Sequence, residues 1–134
     1  MNSFTLALHD ARQSQRIAGV TSFVAEDDSG SFGILAGHAR LLTSLGIGLA
    51  RFRVGEQDWH YLALPGALLY FHADVLTLST RRYLVDDDYL RISQALQDQL
   101  LAEEQALHQL KGSLRQMEEA VLQRLWGLGR SGAE

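Results

Sequence analysis

A chain of 134 residues with 46% hydrophobic and 21% charged side chains has material for one ordinary domain, or for one compact domain with an appendage, and does not have the composition of a disordered segment. The absence of cysteine excludes disulfides, thiolate metal sites and iron–sulfur clusters, and no apolar run approaches the roughly 18 to 20 residues that span a bilayer. Residues 1–85 balance seven Arg against seven Asp and Glu, whereas residues 86–134 set four Arg and one Lys against nine acids, so the whole net charge of -4 falls in the last part and speaks against a phosphate-backbone binder.

The first ten residues carry neither a basic n-region nor an apolar core, so no signal peptide is expected. From there, glycines punctuate the chain up to Gly66 and then vanish until Gly112. Between the early glycines the pattern is that of strands. Phe4, Leu6 and Leu8 alternate with Thr5 and Ala7, and Ile17 to Ala25 is rich in small and β-branched residues. Ala50, Phe52 and Val54 alternate with Arg51 and Arg53, and Gly55-Glu56-Gln57-Asp58 supplies a turn before the strand Trp59 to Leu64. Pro65-Gly66 suits a type II turn, in which glycine takes the positive φ. Ala67 to Phe71 and Val75 to Thr80 form a hairpin around His72-Ala73-Asp74. The only piece before residue 85 with any helical character is Ala39 to Ser44, too short for a βαβ crossover. An antiparallel sandwich or barrel over 1–85 is the expectation.

After residue 88 the period changes. Leu96, Leu100, Leu107, Leu110, Leu114, Met117 and Val121 recur at three, four or seven, a helical stripe close to a heptad. Asp86, Asp87 and Asp88 precede it where carboxylates cap free N–H groups, and Arg124 suits the opposite pole of the dipole. Gly112 costs about 1 kcal/mol relative to Ala inside a helix. It marks either the turn of a helical hairpin or a hinge, with one long helix as the alternative. Gly127 onward reads as a frayed end. The fold expected is α+β: a sandwich over 1–85 and a helical tail over 86–134.

Catalytic constellations are missing from the sequence. The glycines around Gly30 to Gly37 lack the Lys-Ser/Thr of a phosphate loop, because the one lysine is Lys111. The histidines at 9, 38, 60, 72 and 108 lack zinc-ligand spacing. His38, in its glycine-flanked loop, reads as a residue that bonds backbone and fixes the turn, or as part of a protein contact. The three aspartates could in principle ligate a cation but read as helix caps, and Trp126 reads as a packing anchor. No cofactor is expected.

The stretch Gly30-Ser31-Phe32-Gly33-Ile34-Leu35-Ala36-Gly37-His38-Ala39-Arg40-Leu41-Leu42-Thr43-Ser44-Leu45 resembles the signature of epsilon subunits of F-type rotary ATP synthases. That signature usually reads Gly-x-x-Gly-Ile-Leu-Pro-Gly-His-Ala-Pro-Leu-Leu-Thr, and Ala36 and Arg40 stand where its prolines do. Leu64-Pro65-Gly66-Ala67 through Val75-Leu76-Thr77-Leu78-Ser79 is similar to the family's second hairpin, with Pro65 where glycine is common. These departures resemble those of a divergent branch, such as the alternate (N-ATPase) operons.

The resemblance implies a sandwich of about ten strands followed by two helices. It implies a non-catalytic place on the central stalk beside the gamma subunit, peripheral to the cytoplasmic face of a bacterial inner membrane. A contact loop over Phe32, Gly33, Ile34, Leu35, His38 and Arg40 would face the c-ring. Asp88 and Arg91 match part of the tail motif through which some bacterial members bind ATP. Arg115, Arg124, Arg130 and Trp126 would serve a tail that reaches the alpha and beta catalytic subunits and restrains hydrolysis. The competing reading is a stand-alone sandwich-type binding module dimerised by its carboxy-terminal coiled coil.

Overall fold

The computed structural model describes residues 2–132, with side chains through residue 127. The period-two segments become nine strands among the described residues: β1 (Phe4–His9), β2 (Ser14–Asp27), β3 (Gly30–Ile34), β4 (Leu41–Leu45), β5 (Gly48–Val54), β6 (His60–Leu64), β7 (Ala67–His72), β8 (Val75–Thr80) and β9 (Leu84–Asp86). Helical backbone follows as α1 (Tyr89–Ala95), a π-helical segment (Leu96–Leu101) and α2 (Ala102–Gly132). Met1–Leu101 and Ala102–Glu134 form two separate compact units.

Strands hydrogen-bond in the order β4-β7-β8-β1-β2-β5-β6-β9, with β3 also on β2. Every pair is antiparallel except β1–β8, which is parallel. The 14-residue β2 serves both layers: its first half pairs with β1, its second with β3 and β5. Two register shifts bend it, one opposite Phe4–Leu6 where Gly19 takes φ +73, the next between Val20 and Ser22. Extra residues of this kind sharpen twist and let one strand pass between sheets. Thr21 steadies the bend, its hydroxyl donating to the Gly55 carbonyl at 2.7 Å.

The two layers close on one core. Leu6, Leu8, Leu69, Phe71, Leu76 and Leu78 meet Phe23, Ile34, Phe52, Leu62 and Leu64, all essentially without solvent exposure. Phe4 meets Phe71 edge-on, ring centroids 5.5 Å apart, a favoured aromatic geometry. A smaller cluster covers the outer side of β6, where Ala63 is buried under Ile92 of α1 and Leu100 of the π-helical segment. Full burial of such aliphatic side chains contributes about 1.5–3 kcal/mol each, enough to hold this first stretch of helix on the sheet.

Several expectations change. The piece Ala39 to Ser44 supplies strand rather than helix, as Leu41–Leu45 pairs along β7. The Pro65-Gly66 turn carries the chain between layers, since β6 and β7 are not neighbours, and it is not of type II. Gly66 takes φ +141, well beyond the type II value. A Cβ on it would stand 3.3 Å from the Leu45 carbonyl oxygen. No hairpin forms at Gly112: that residue lies inside α2, and of the two alternatives the long helix is the one adopted. A penalty of about 1 kcal/mol is outweighed by good helix formers on both sides and by the lack of any proline to stop the helix. Helical backbone also continues past Gly127 to Gly132.

Candidate functional site: the loop end of the sandwich and the start of the tail

The glycine loop divides into anchors and display. Ile34 pairs with Phe23 and is fully buried, while Phe32 pairs with Ala25 and packs against the core edge. Gly33 faces the other way, beside the Phe23 carbonyl. Leu35 is 61% exposed, although Ala36 after it is packed on the core. The His38 N–H closes the turn onto the Leu35 carbonyl at 3.1 Å. Gly37 has φ +79, as the third position of a type II turn requires. The His38 ring bonds the Ala39 carbonyl through Nδ1 at 2.7 Å, which makes Nδ1 the protonated nitrogen, and lies edge-on to Phe71. The backbone N–H of His38 closes its turn and its ring is held on the next carbonyl, exposed at the surface.

The β7–β8 hairpin meets this loop. Ala73 (φ 51) and Asp74 (φ 58) are both left-handed, the conformation of a type I′ turn. Asp74 thereby aims its carboxylate at the loop and accepts the Gly37 N–H at 2.7 Å, while its carbonyl accepts the Thr5 N–H at 3.0 Å. The Arg40 guanidinium lies against the His72 ring, with nitrogens 3.3 and 3.4 Å apart. Loop, hairpin and the start of β1 thus form one end face.

From that end an apolar face runs along β4 and β7. Leu42 pairs with Tyr70, and Ser44 with Leu68. Leu42 is 63%, Leu68 52% and Tyr70 37% exposed, while their neighbours Leu69 and Phe71 point into the core. Sequence reading missed this face and the part played by Asp74. The signal was available in Leu68-Leu69-Tyr70-Phe71, which is apolar on both sides of the pleat and hence two-faced.

At the start of the tail, Asp88 has extended backbone angles and accepts the Arg91 N–H at 3.1 Å, a capping bond. Asp86 takes the Arg91 guanidinium in a two-pronged grip at 2.5 and 2.6 Å, and Asp87 adds a third contact at 3.3 Å. The Arg91 bonds, helped by the Asp88 N–H, hold the Asp86 carboxyl well below the usual carboxylate range. The two residues of the ATP-motif match are therefore already engaged, Asp88 with backbone and Arg91 with its neighbouring acids.

Arg115, Arg124 and Trp126 are exposed residues of α2. At about 100° per residue, Arg115 and Trp126 fall within about 20° of each other, and Arg124 lies on the opposite side of the helix. The three do not make one contact stripe. The Arg130 side chain lies outside the described residues. Among the described residues, no group of three or more His, Cys, Asp and Glu side chains is placed to hold a metal ion, and no helix is long and apolar enough to cross a membrane.

The family described as "ATP synthase, Delta/Epsilon chain, beta-sandwich domain" matches residues 6–84. Among curated relatives, the "ATP synthase epsilon chain 2" of Cereibacter sphaeroides is 37% identical over 95 residues, 70% of this chain and 65% of that protein. The chloroplastic ATP synthase epsilon chain of Guillardia theta is 39% identical over 61 residues, 46% of each chain. The chain thus spans less than two thirds of the length of these relatives. Among solved structures, a chain of the Euglena gracilis mitochondrial ATP synthase superposes with a TM-score of 0.59 at 16% identity, covering 73% of this chain and 64% of that one. A chain of the Tetrahymena thermophila mitochondrial ATP synthase central stalk and c-ring gives 0.54 at 16% identity, covering 86% and 95%. At such identities these two likenesses concern the fold.

Proposed function

The chain belongs to the ATP synthase delta/epsilon chain family, whose epsilon chains are accessory subunits without an active site of their own, and from that premise we propose that it is a central-stalk rotor subunit joining a gamma subunit to the c-ring. In this reading it is peripheral to the membrane at the cytoplasmic face of a bacterial inner membrane, in a proton- or sodium-translocating enzyme. The observation that carries the proposal is the apolar face of Leu42, Leu68 and Tyr70, continuous with the end face of Leu35, His38 and Arg40. Exposed apolar side chains grouped on one sheet face mark a protein interface, and a stiff sandwich with contacts on a side and an end can carry torque between two partners. The name "epsilon chain 2" of the Cereibacter relative supports an alternate branch of the family for this chain too.

Copurification tests the reading. The chain should be recovered with a gamma-type subunit at equal stoichiometry, and Leu42→Glu with Leu68→Glu should abolish recovery while the sandwich still folds. Unchanged recovery of the double variant would remove this face from the interface.

The tail carries the second half of the proposal, a restraint on ATP hydrolysis through contact with the alpha and beta subunits. Its support is the length and exposure of α2. A truncation should fall after Leu101 rather than after Asp88, because the earlier cut would strip Ile92 and Leu100 from the sheet. Hydrolysis by the assembled enzyme should rise with the tail removed; an unchanged rate would take α2 out of regulation.

A further inference from the structure

We propose that the free subunit self-associates through α2, as an antiparallel two-helix coiled coil in which Lys111 of each copy faces Glu118 of the other. This pairing belongs to the unassembled chain and is independent of where the tail docks in a complex. Leu107, Leu110, Leu114, Met117 and Val121 alternate at three and four, the spacing of a coiled-coil seam. Where they sit on α2, Leu110 (54%), Leu114 (54%), Met117 (65%) and Val121 (55%) are all exposed. More than half of each side chain is in water, along one side of a 31-residue helix.

Charge selects a second copy and its direction. In a parallel, in-register pair every seam residue meets itself, and Arg124, the next seam position, would face Arg124 across a desolvated layer. No opposite charges flank that arrangement, since Ala106 would meet Lys111 and Ser113 would meet Glu118. Run antiparallel with Leu114 opposite Met117, the layers become Leu110–Val121, Leu114–Met117 and their symmetry mates, and Arg124 meets Leu107. One flank then pairs Lys111 with Glu118 twice. The other brings Ala106 against Gly127 and Ser113 against Ala120, small residues that let the backbones approach. Sliding by one heptad either way sets Lys111 against Lys111 or Glu118 against Glu118, so only this register satisfies the charges. Flanking charges of this kind set partner choice and orientation in coiled coils.

The seam spans only about two and a half heptads, so the dimer is weak and reversible, and a free pool in equilibrium with monomer suits a subunit that must also enter a complex. Sedimentation equilibrium of the purified full chain should show monomer and dimer. Lys111→Glu and Glu118→Lys should each weaken dimerisation on the order of tenfold, by turning two attractions into two repulsions; the double variant should restore it. Circular dichroism guards against misfolding of any variant. Because the chain has no cysteine, direction can be read separately. Leu114→Cys and Met117→Cys mixed together should form the mixed disulfide in preference to either homodimer. A chain that stays monomeric at every concentration, a double variant as weak as the singles, or self-coupling of Leu114→Cys alone would each overturn the proposal.

Discussion

The Asp74 carboxylate accepts the Gly37 N–H at 2.7 Å across 37 residues of sequence, and that one bond joins the glycine loop to the tip of the β7–β8 hairpin. The bond exists because Asp74 occupies a left-handed backbone position that most residues avoid and that Asp and Asn tolerate. Asp74→Ala should remove both the bond and the favoured turn residue, at a cost of about 1–2 kcal/mol for a charge-assisted bond at a surface site. Asp74→Asn keeps the turn and loses only the charge, so it should cost less. Urea unfolding ranks the two variants. Hydrogen exchange at Gly37 should speed up in both while exchange in β6 stays unchanged.

Asp86 sets a pH dependence. Its carboxyl is held low by the Arg91 guanidinium and the Asp88 N–H. A carboxylate whose folded value lies below its unfolded value of about 3.9 stabilises the fold fully above that value. The contribution is lost as pH falls through the folded value. Asp10 acts in the same direction: partial burial pushes it up, but the N–H groups of Arg12, Gln13 and Tyr83 outweigh that and lower it. Stability should therefore be flat from neutral pH down to about pH 5 and decline below about pH 4. Asp86→Asn should lower the plateau and flatten the decline. Urea titrations between about pH 7 and about pH 2.5 read both. A variant with the parent's slope would show that the grip on Arg91 does not persist in solution.

The sandwich was legible because alternation is a local signal. Phe4, Leu6 and Leu8, or Leu76 and Leu78, declare an inward face with no knowledge of partners. Strand order was not legible in the same way. The parallel pairing of β1 with β8 joins Thr5 to Val75, and nothing near either residue encodes the other. The Pro65-Gly66 corner shows the same limit, since turn chemistry fixes the bend but not whether the flanking strands pair. In the tail, Gly112 carried a weak penalty that its helical neighbours overrode. At the site, the loop residues were found by motif, whereas Leu42, Leu68 and Tyr70 were hidden because an outward-facing apolar residue looks like any other strand residue until its exposure is known.

Gly66 offers a sharper test of backbone conformation than any residue of the loop. At φ +141 it lies where residues with a Cβ are strained, and that Cβ would press on the Leu45 carbonyl oxygen at 3.3 Å. The Thr80 hydroxyl also donates to the Gly66 carbonyl at 2.6 Å, fixing the corner from the opposite side. Gly66→Ala should cost about 1–3 kcal/mol, with a lower urea midpoint and an unchanged slope. Gly112→Ala supplies the contrast: it lies inside α2 with nothing within 4 Å of the point where an alanine methyl would stand, and should stabilise that helix by about 1 kcal/mol.

The sheet holds the first helical stretch through a small buried cluster. Leu100 and Ile92 are almost wholly buried against Ala63, with Leu49, Tyr61, Leu84 and Leu96 around them. Leu100 lies in the π-helical segment, where the wider turn shifts the helix face relative to a regular α-helix, so its burial depends on that turn keeping its form. Leu100→Ala should cost about 2–4 kcal/mol through lost burial and the cavity left behind. Leu114→Ala, more than half exposed on α2, should cost less than about 1 kcal/mol in the monomer. Chemical denaturation at a concentration low enough to exclude dimers measures both. Equal losses at the two positions would mean that α2 is as firmly packed as the π-helical segment, and the proposal of an exposed seam would fall with that result.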